Sequence, residues 1–450
     1  MQPWTLAGCA SGTQVTPPLY PPVQMSPPFL ARFSALGVPF LWLLASDALT
    51  LLALMVGQVA LPWWIASAGG AHDLALYSVV TSAFAVVAMP CLSPLGDRIA
   101  KRRLIQAALI AFALASAAVA GLASAGRYDL RALTLLGVVP VLAMAALIPS
   151  ISSFVTELVA PGGLARAMGL QQSAQATGRM IGPAIGGAVL GAAGTAAALW
   201  LNTALLVFAG WAARQLPAGV PPRHGRRAWR ADLAAGMAAN WRIPLERGWI
   251  LVNFVSWIFL FPAFTMLVPL KVQSLGLSGT WLGLCEAGLS LGMLLGSLGG
   301  SAWLIARLGR YRTRVGAAVL QGAALACAGA TGSGPWLVAC FAAAGFLNAA
   351  MVLVGLTHRM LARPQAYRAR MVAGAVTTTY VASAIGPALA GVALLHASVS
   401  AIFMAFGMLG ALASLGLAVV PGFRAFMALD HEAVANFYER TFPAAFVDPA

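Results

Sequence analysis

Stretches of about 20 mostly apolar residues, the length a helix needs to cross a bilayer, follow one another along the chain. They lie at 37–66, 74–92, 104–125, 131–155, 167–192, 195–215, 249–273, 280–305, 313–332, 334–357, 369–394 and 398–420, and they read as twelve membrane-spanning helices, numbered here as spans 1 to 12. Composition agrees. Hydrophobic residues make up 60% of the chain and charged residues only 9%, against roughly 25% charged in a soluble domain. A chain of this kind cannot hide its apolar surface from water. The first run carries an interfacial end at Pro62-Trp63-Trp64.

Net charge is +15, and its placement sets topology rather than pointing to nucleic acid. With both termini inside, all but four of the 27 Lys and Arg residues fall in cytoplasmic segments or span ends; the four are Arg127, Arg131, Arg179 and Lys271. That asymmetry is the positive-inside pattern. The longest polar interruption, 217–248, divides the spans six and six, and its part from Trp229 to Trp241 is expected to form a helix on the membrane surface. The expected organisation is a Pro-rich disordered cytoplasmic tail (1–35), a six-helix bundle (36–215), a cytoplasmic loop (216–248), a second six-helix bundle (249–420) and a cytoplasmic tail (421–450). Cys9, Cys91, Cys285, Cys327 and Cys340 show no metal-ligand spacing and read as packing residues.

The two halves are related. IGPAIGGAV at 181–189 returns as IGPALAGVA at 385–393, 204 residues on, and at that offset six of the 22 positions from 166 to 187 are identical in 370–391. One copy sits in span 5 and the other in span 11, equivalent places in the two bundles. This is a parallel internal repeat, the mark of a transporter built from two similar bundles.

SPLGDRIAKRR (93–103), between spans 2 and 3, resembles the loop signature G-x-L-A-D-R-x-G-R-K/R of the major facilitator superfamily. Leu95, Asp97, Arg98 and Arg102 match, Lys101 keeps the charge, and Ser93 and Ala100 stand where glycine is usual. ATGRMIGPAIGGAVLG (176–191) resembles the antiporter-type span 5 motif of that family. The wider stretch 156–187, with LLASDAL (43–49) and LCEAGLSLGMLLGSL (284–298), looks like the drug and siderophore exporters related to enterobactin and macrolide efflux proteins. The resemblance implies an all-α integral membrane fold of two six-helix bundles in a bacterial inner membrane. It implies a monomer that exchanges a small-molecule substrate for protons and requires no cofactor. The expected activity is export of amphipathic drug-like compounds; export of one native metabolite, such as a siderophore, is the alternative, and a signalling or assembly role on a transporter scaffold a remote one. No enzyme is expected: His358 and His396 lack partners at metal-ligand spacing, HEAVANF lacks the second His of HExxH, and no GxxxxGK[ST] is present.

Three groups of residues carry these expectations. Glycines four apart mark close helix contacts in lipid. Gly178, Gly182 and Gly186 in span 5, widened by Gly187 and Gly191, and Gly288, Gly292 and Gly296 in span 8 form such stripes; the resemblance implies that these two spans face each other across the halves, so a sliding seam between bundles is expected there. Pro183 supplies a bend, and Gly386 and Pro387 repeat the pattern in span 11. The resemblance implies that the loop carrying Asp97 and Arg98 approaches the start of span 11 near Arg368 and Arg370, and a latch is expected there because a helix N-terminus favours a carboxylate. Charges within spans are costly and mark function. They are Asp47 (span 1), Arg179 (span 5) and Glu286 (span 8). Asp47 and Arg179 lie about 15 and about 18 Å from the cytoplasmic ends of their spans at roughly 1.5 Å per residue, so an Asp47–Arg179 pair is expected, with Asp47 as proton carrier and Glu286 next. Gln171, Gln175, Asn202, Asn253, Trp257 and Asn348 are candidates for lining the substrate cavity.

Overall fold

The computed structural model describes residues 37–92, 99–159, 161–218, 229–365 and 367–446. Among these residues all regular structure is helical, and nine helices are long and apolar enough to cross a membrane. Three of the nine, of 51, 49 and 52 residues, would run roughly 75 Å if straight, more than twice the hydrocarbon thickness. None is straight. Gly70 (φ 74°, ψ −166°) splits the first into spans 1 and 2, and Gly194 (φ 82°, ψ 178°) splits the second into spans 5 and 6. Gly299 (φ 144°) and Gly309 (φ 75°) divide the third into span 8, a connector at 301–308, and span 9. Glycine alone takes these backbone angles without a steric penalty. Nine helices, three of them doubled, give twelve crossings, the all-α fold expected from the sequence.

Local chemistry sets several boundaries. Asp129 caps span 4, its carboxylate accepting from the N–H groups of Arg131 (2.9 Å) and Ala132 (3.3 Å). Ser398 does the same for span 12 through Ala401. Span 7 runs Pro244–Thr265 and resumes as Leu267–Ser274 after a break at Met266, one turn beyond Pro262. The surface helix forms at Trp229–Arg242. It docks on the start of span 11, where Asn240 Nδ2 donates to the Met371 carbonyl at 2.8 Å.

The C-terminal segment is not a tail through residue 446. Phe423–Ala428, His431–Val434 and Phe437–Thr441 fold as short helices whose aromatic rings cap the beginning of span 7. The Phe423 and Phe426 centroids lie 4.9 and 6.4 Å from that of Trp249, and Phe426 stacks on Tyr438. Burial, and then the Glu246 carboxylate nearby, push the Tyr438 phenol well above its ordinary pKa.

The repeated nonapeptide has the same task in each half. A Cβ on Gly182 would come within 2.5 Å of Met55, and one on Gly186 within 3.1 Å of the Val56 backbone, so these glycines seat span 5 on span 1. A Cβ on Gly386 would come within 2.5 Å of the Ile258 carbonyl, seating span 11 on span 7. Gly288, Gly292 and Gly296 likewise seat span 8 on Val338, Ala342 and Phe346 of span 10. Those glycines therefore hold each bundle together. Spans 5 and 8 do meet across the halves, at a neighbouring face: Gly187 packs on Gly283 (a Cβ on Gly187 would lie 2.4 Å from the Gly283 Cα), the Pro183 carbonyl would lie 2.8 Å from a Cβ on Gly283, and Gly191 packs on Thr280. Spans 2 and 11 meet at Ala75 and Gly391. A glycine stripe reveals a close approach but not which helix makes it.

Overpacking of this kind costs about 1–3 kcal/mol. Gly386→Val is expected to lower the melting temperature of the detergent-purified protein, whereas Gly210→Ala, inside a helix with open space around it, does not lower it. Equal melting of Gly386→Val and wild type would contradict the packing described.

Candidate functional site

Between the halves lies a cavity of about 400 Å³, within the range of small-molecule sites. Span 1 contributes Leu54, Met55 and Gln58, spans 2 to 4 contribute Tyr77, Phe112 and Leu136, and span 7 contributes Phe261, Phe264 and Val268. Two glycines shape its wall. Gly57 admits Asn202, whose Nδ2 would lie 2.8 Å from a Cβ there, and Gly137 admits the ring of Tyr77. Away from the chain termini the Gly187–Gly283 contact closes the space, reinforced by Gln273 Nε2 donating to the Trp63 carbonyl at 3.1 Å.

The lining is largely apolar, and Glu286 is the one charged residue among the described residues that form it. No hydrogen bond or ion pair reaches its carboxylate from the described residues. Asn202 also stands in the wall, its Oδ1 buried without a partner. A lone carboxylate in an apolar space is stabilised by taking up a proton or by pairing with a cation.

Asp47 has a different setting. It is 8% exposed and accepts from both Gln171 Nε2 and Gln175 Nε2 at 2.9 Å. The expected pair with Arg179 does not form: among the described residues no carboxylate lies within ion-pair distance of that exposed arginine. Register explains the difference. Span 1 runs beside span 5 with Leu51 at Gly178 and Met55 at Gly182. Asp47, one turn before Leu51, is thus level with the glutamines and a full turn short of Arg179. Arg179 contributes instead through its carbonyl, which accepts from Ser290 Oγ across the halves at 2.9 Å.

The remaining expectations divide. Trp257 Nε1 donates to Ser383 Oγ at 2.9 Å, and Asn253 Oδ1 accepts from Arg314 Nη2 at 3.0 Å. Both line a second cavity, inside the second bundle. Asn348 is half-buried and is not among the described residues lining either cavity. Asp97 and Arg98 lie outside the described residues. Of their expected partners, Arg368 Nη2 donates to the Arg363 carbonyl at 3.4 Å and Arg370 lies over the Tyr367 ring at 5.2 Å.

Sequence reasoning missed a charge cluster at the second cavity. Glu246, fully buried, pairs with Arg359 and, at 3.3 Å, with Arg363, and Arg314 lies beside them at 3% exposure. Glu246 and Arg314 fell at the expected edges of spans 7 and 9, where charge is ordinarily solvated. The run Arg310, Arg312, Arg314 entering span 9 was the available signal.

Residues 43–355 match the family described as the Major Facilitator Superfamily. No curated protein matches the chain by sequence. Solved structures are similar in fold. The nucleoside transporter NupG superposes with a TM-score of 0.69 at 13% identity, over 87% of this chain and 100% of its own. A bacterial homologue of the iron transporter ferroportin in an inward-facing state gives 0.67 at 16%, over 87% and 98%. A bacterial homolog of the lysosomal transporter Spinster, inward-facing and unoccupied, gives 0.59 at 14%, over 93% and 99%.

Asp47→Leu is expected to destabilise the protein by about 1–3 kcal/mol for each glutamine amide left without its acceptor. Asp47→Asn, which keeps an acceptor oxygen, is expected to cost less. Thermal melting of the two variants side by side checks this, and equal losses would sink the hydrogen-bonding account of Asp47.

Proposed function

The chain belongs to the major facilitator superfamily, and from that membership we propose that it is a proton-coupled exporter of amphipathic, cationic drug-like compounds. A multi-pass membrane transporter of this family is not an enzyme; substrate, direction and coupling are the added reading. The observation that carries it is Glu286, the one charged residue, without a hydrogen-bond or ion-pair partner, among the described residues in the wall of the cavity between the bundles.

A proton and a cationic substrate compete for that one carboxylate. Substrate arriving from the cytoplasm displaces the proton from Glu286 into the cytoplasm and pairs with the carboxylate, and the apolar walls take up the rest of the molecule. After the bundles rock, protonation from outside releases the substrate. A proton moving inward across about 100 mV supplies about 2.3 kcal/mol. With the basic loops inside, the end closed by Gly187 and Gly283 is the outer one, which fits a state that shields the cavity from the exterior. Export rather than uptake is supported by the resemblance of 176–191 to the antiporter-type motif. Asp47, held by two neutral amides, is assigned to positioning span 5 on span 1 rather than to proton transfer.

The test uses everted vesicles with a respiration-generated pH gradient, a pH-sensitive dye, and a panel of lipophilic cations, macrolides and catecholate siderophores. Lipophilic cations are expected to dissipate the gradient in wild type and in Asp47→Asn, but not in Glu286→Gln expressed at equal level. A wild-type response in Glu286→Gln overturns the assignment. A response to siderophores alone favours an exporter dedicated to a native metabolite.

A further inference from the structure

The second cavity, of about 270 Å³, lies inside the second bundle and is lined by Trp249, Asn253, Arg314, Arg359, Arg363 and Thr379, among others. Its charges do not balance. Glu246 is the carboxylate of the cluster, and it is already held by two arginines, through two contacts from Arg359 and through Arg363 Nη2 at 3.3–3.4 Å. Arg314 has no share in it. The Arg314 guanidinium makes one hydrogen bond, to Asn253, while its Nε and Nη1 are buried without a partner.

Buried guanidiniums ordinarily fill their donor fork, because an uncompensated charge away from water costs several kcal/mol. Here two of them lie against one aromatic ring: the guanidinium carbons of Arg314 and Arg359 are 5.5 and 4.8 Å from the Trp249 ring centroid. The ring offsets part of the charge but accepts no hydrogen bond in the plane of the fork. The fold also keeps the place clear, since a Cβ on Gly355 would come within 3.2 Å of Arg314 Nε. Access lies beside Val352 and Leu356, which line the cavity and are exposed.

We propose that this cavity is a seat for an oxyanion, a phosphate or carboxylate group, bound by the open donors of Arg314 with Arg359 beside it. A planar fork of N–H donors matches two oxygens of such a group. One group would fill the orphaned donors and offset the surplus charge together. The seat is separate from the Glu286 cavity and does not depend on the transport reading: an exporter without it, or an anion-binding protein that exports nothing, are distinguishable results. The same chemistry is offered by a free anion from the water-filled side and by the phosphate of an anionic lipid reaching in between helices.

The test uses the full-length protein, delipidated in detergent and, separately, in nanodiscs of phosphatidylcholine with or without phosphatidylglycerol. Binding of radiolabelled inorganic phosphate and the melting temperature are followed at constant ionic strength. Wild type and Arg312→Gln, which removes an exposed arginine two residues away, are expected to bind alike. Arg314→Gln is expected to bind about tenfold or more weakly, the loss typical of a charged hydrogen bond. Asn253→Asp places a carboxylate within reach of Arg314 and is expected to melt no lower than wild type while no longer responding to either probe. It carries the test if Arg314→Gln does not fold. A response to phosphate in detergent identifies a free anion, and a response only to phosphatidylglycerol identifies a lipid headgroup; either supports the seat. The proposal is overturned if neither probe acts on wild type, or if the response persists in Arg314→Gln or, where that variant does not fold, in Asn253→Asp.

Discussion

Close approach of helix backbones at glycine is the contact on which the rest of this structure depends. In hydrocarbon no solvent drives two apolar helices together, so they associate through the packing that small residues allow. Gly182, Gly186 and Gly386 set the first and fifth helices of each bundle in register, and Gly288, Gly292 and Gly296 join spans 8 and 10. Everything with chemistry follows from those registers. Asp47 meets two glutamines because Leu51 sits at Gly178. Glu286 faces the cavity because its helix is held on one side by span 10 and on another by Gly187 of the opposite half.

The same contact type serves two purposes that differ in permanence. Within a bundle, glycines meet neighbouring backbone and side chains over several turns. Between bundles the Gly187–Gly283 and Gly191–Thr280 contacts are confined to one end. A transporter needs bundles that stay intact and an interface that opens, and the number of turns over which glycines interlock separates the two. The two cavities divide similarly by charge. Among the described residues, one has a single acid in an apolar wall; the other has more arginines than the neighbouring Glu246 holds.

Much of this was legible in the sequence, and the failures have identifiable causes. Span number came through because a bilayer imposes length on every apolar run, and the repeat at 181 and 385 correctly placed equivalent helices. The pairing of Asp47 with Arg179 failed because depth along two helices was known but the register between them was not; a single turn separates the expected partner from the real ones. The stripes at Gly182, Gly186, Gly288, Gly292 and Gly296 turn inward within each bundle, because a small-residue stripe names a face and not its neighbour, while spans 5 and 8 meet at Pro183, Gly187 and Gly283. Glu246 and Arg314 escaped notice because span ends drawn from hydropathy fall a few residues from where the helices are buried. The cap formed by Phe423, Phe426 and Tyr438 has no helical period long enough to read. Its aromatic side chains are buried by Trp249, a partner far away in sequence.

The reversals at Gly70 and Gly194 have a consequence for how the chain enters the membrane. Each joins two spans through a very short connection, so spans 1 and 2, and spans 5 and 6, present themselves as helical hairpins; the tip at Gly194 is uncharged, and that at Gly70 carries only the pair His72 and Asp73. Of the few cations on that side, Lys271 is satisfied within the fold, its Nζ donating to the Gly329 carbonyl and Ser400 Oγ at 2.7 and 2.6 Å. Pairwise insertion is thereby favoured during synthesis.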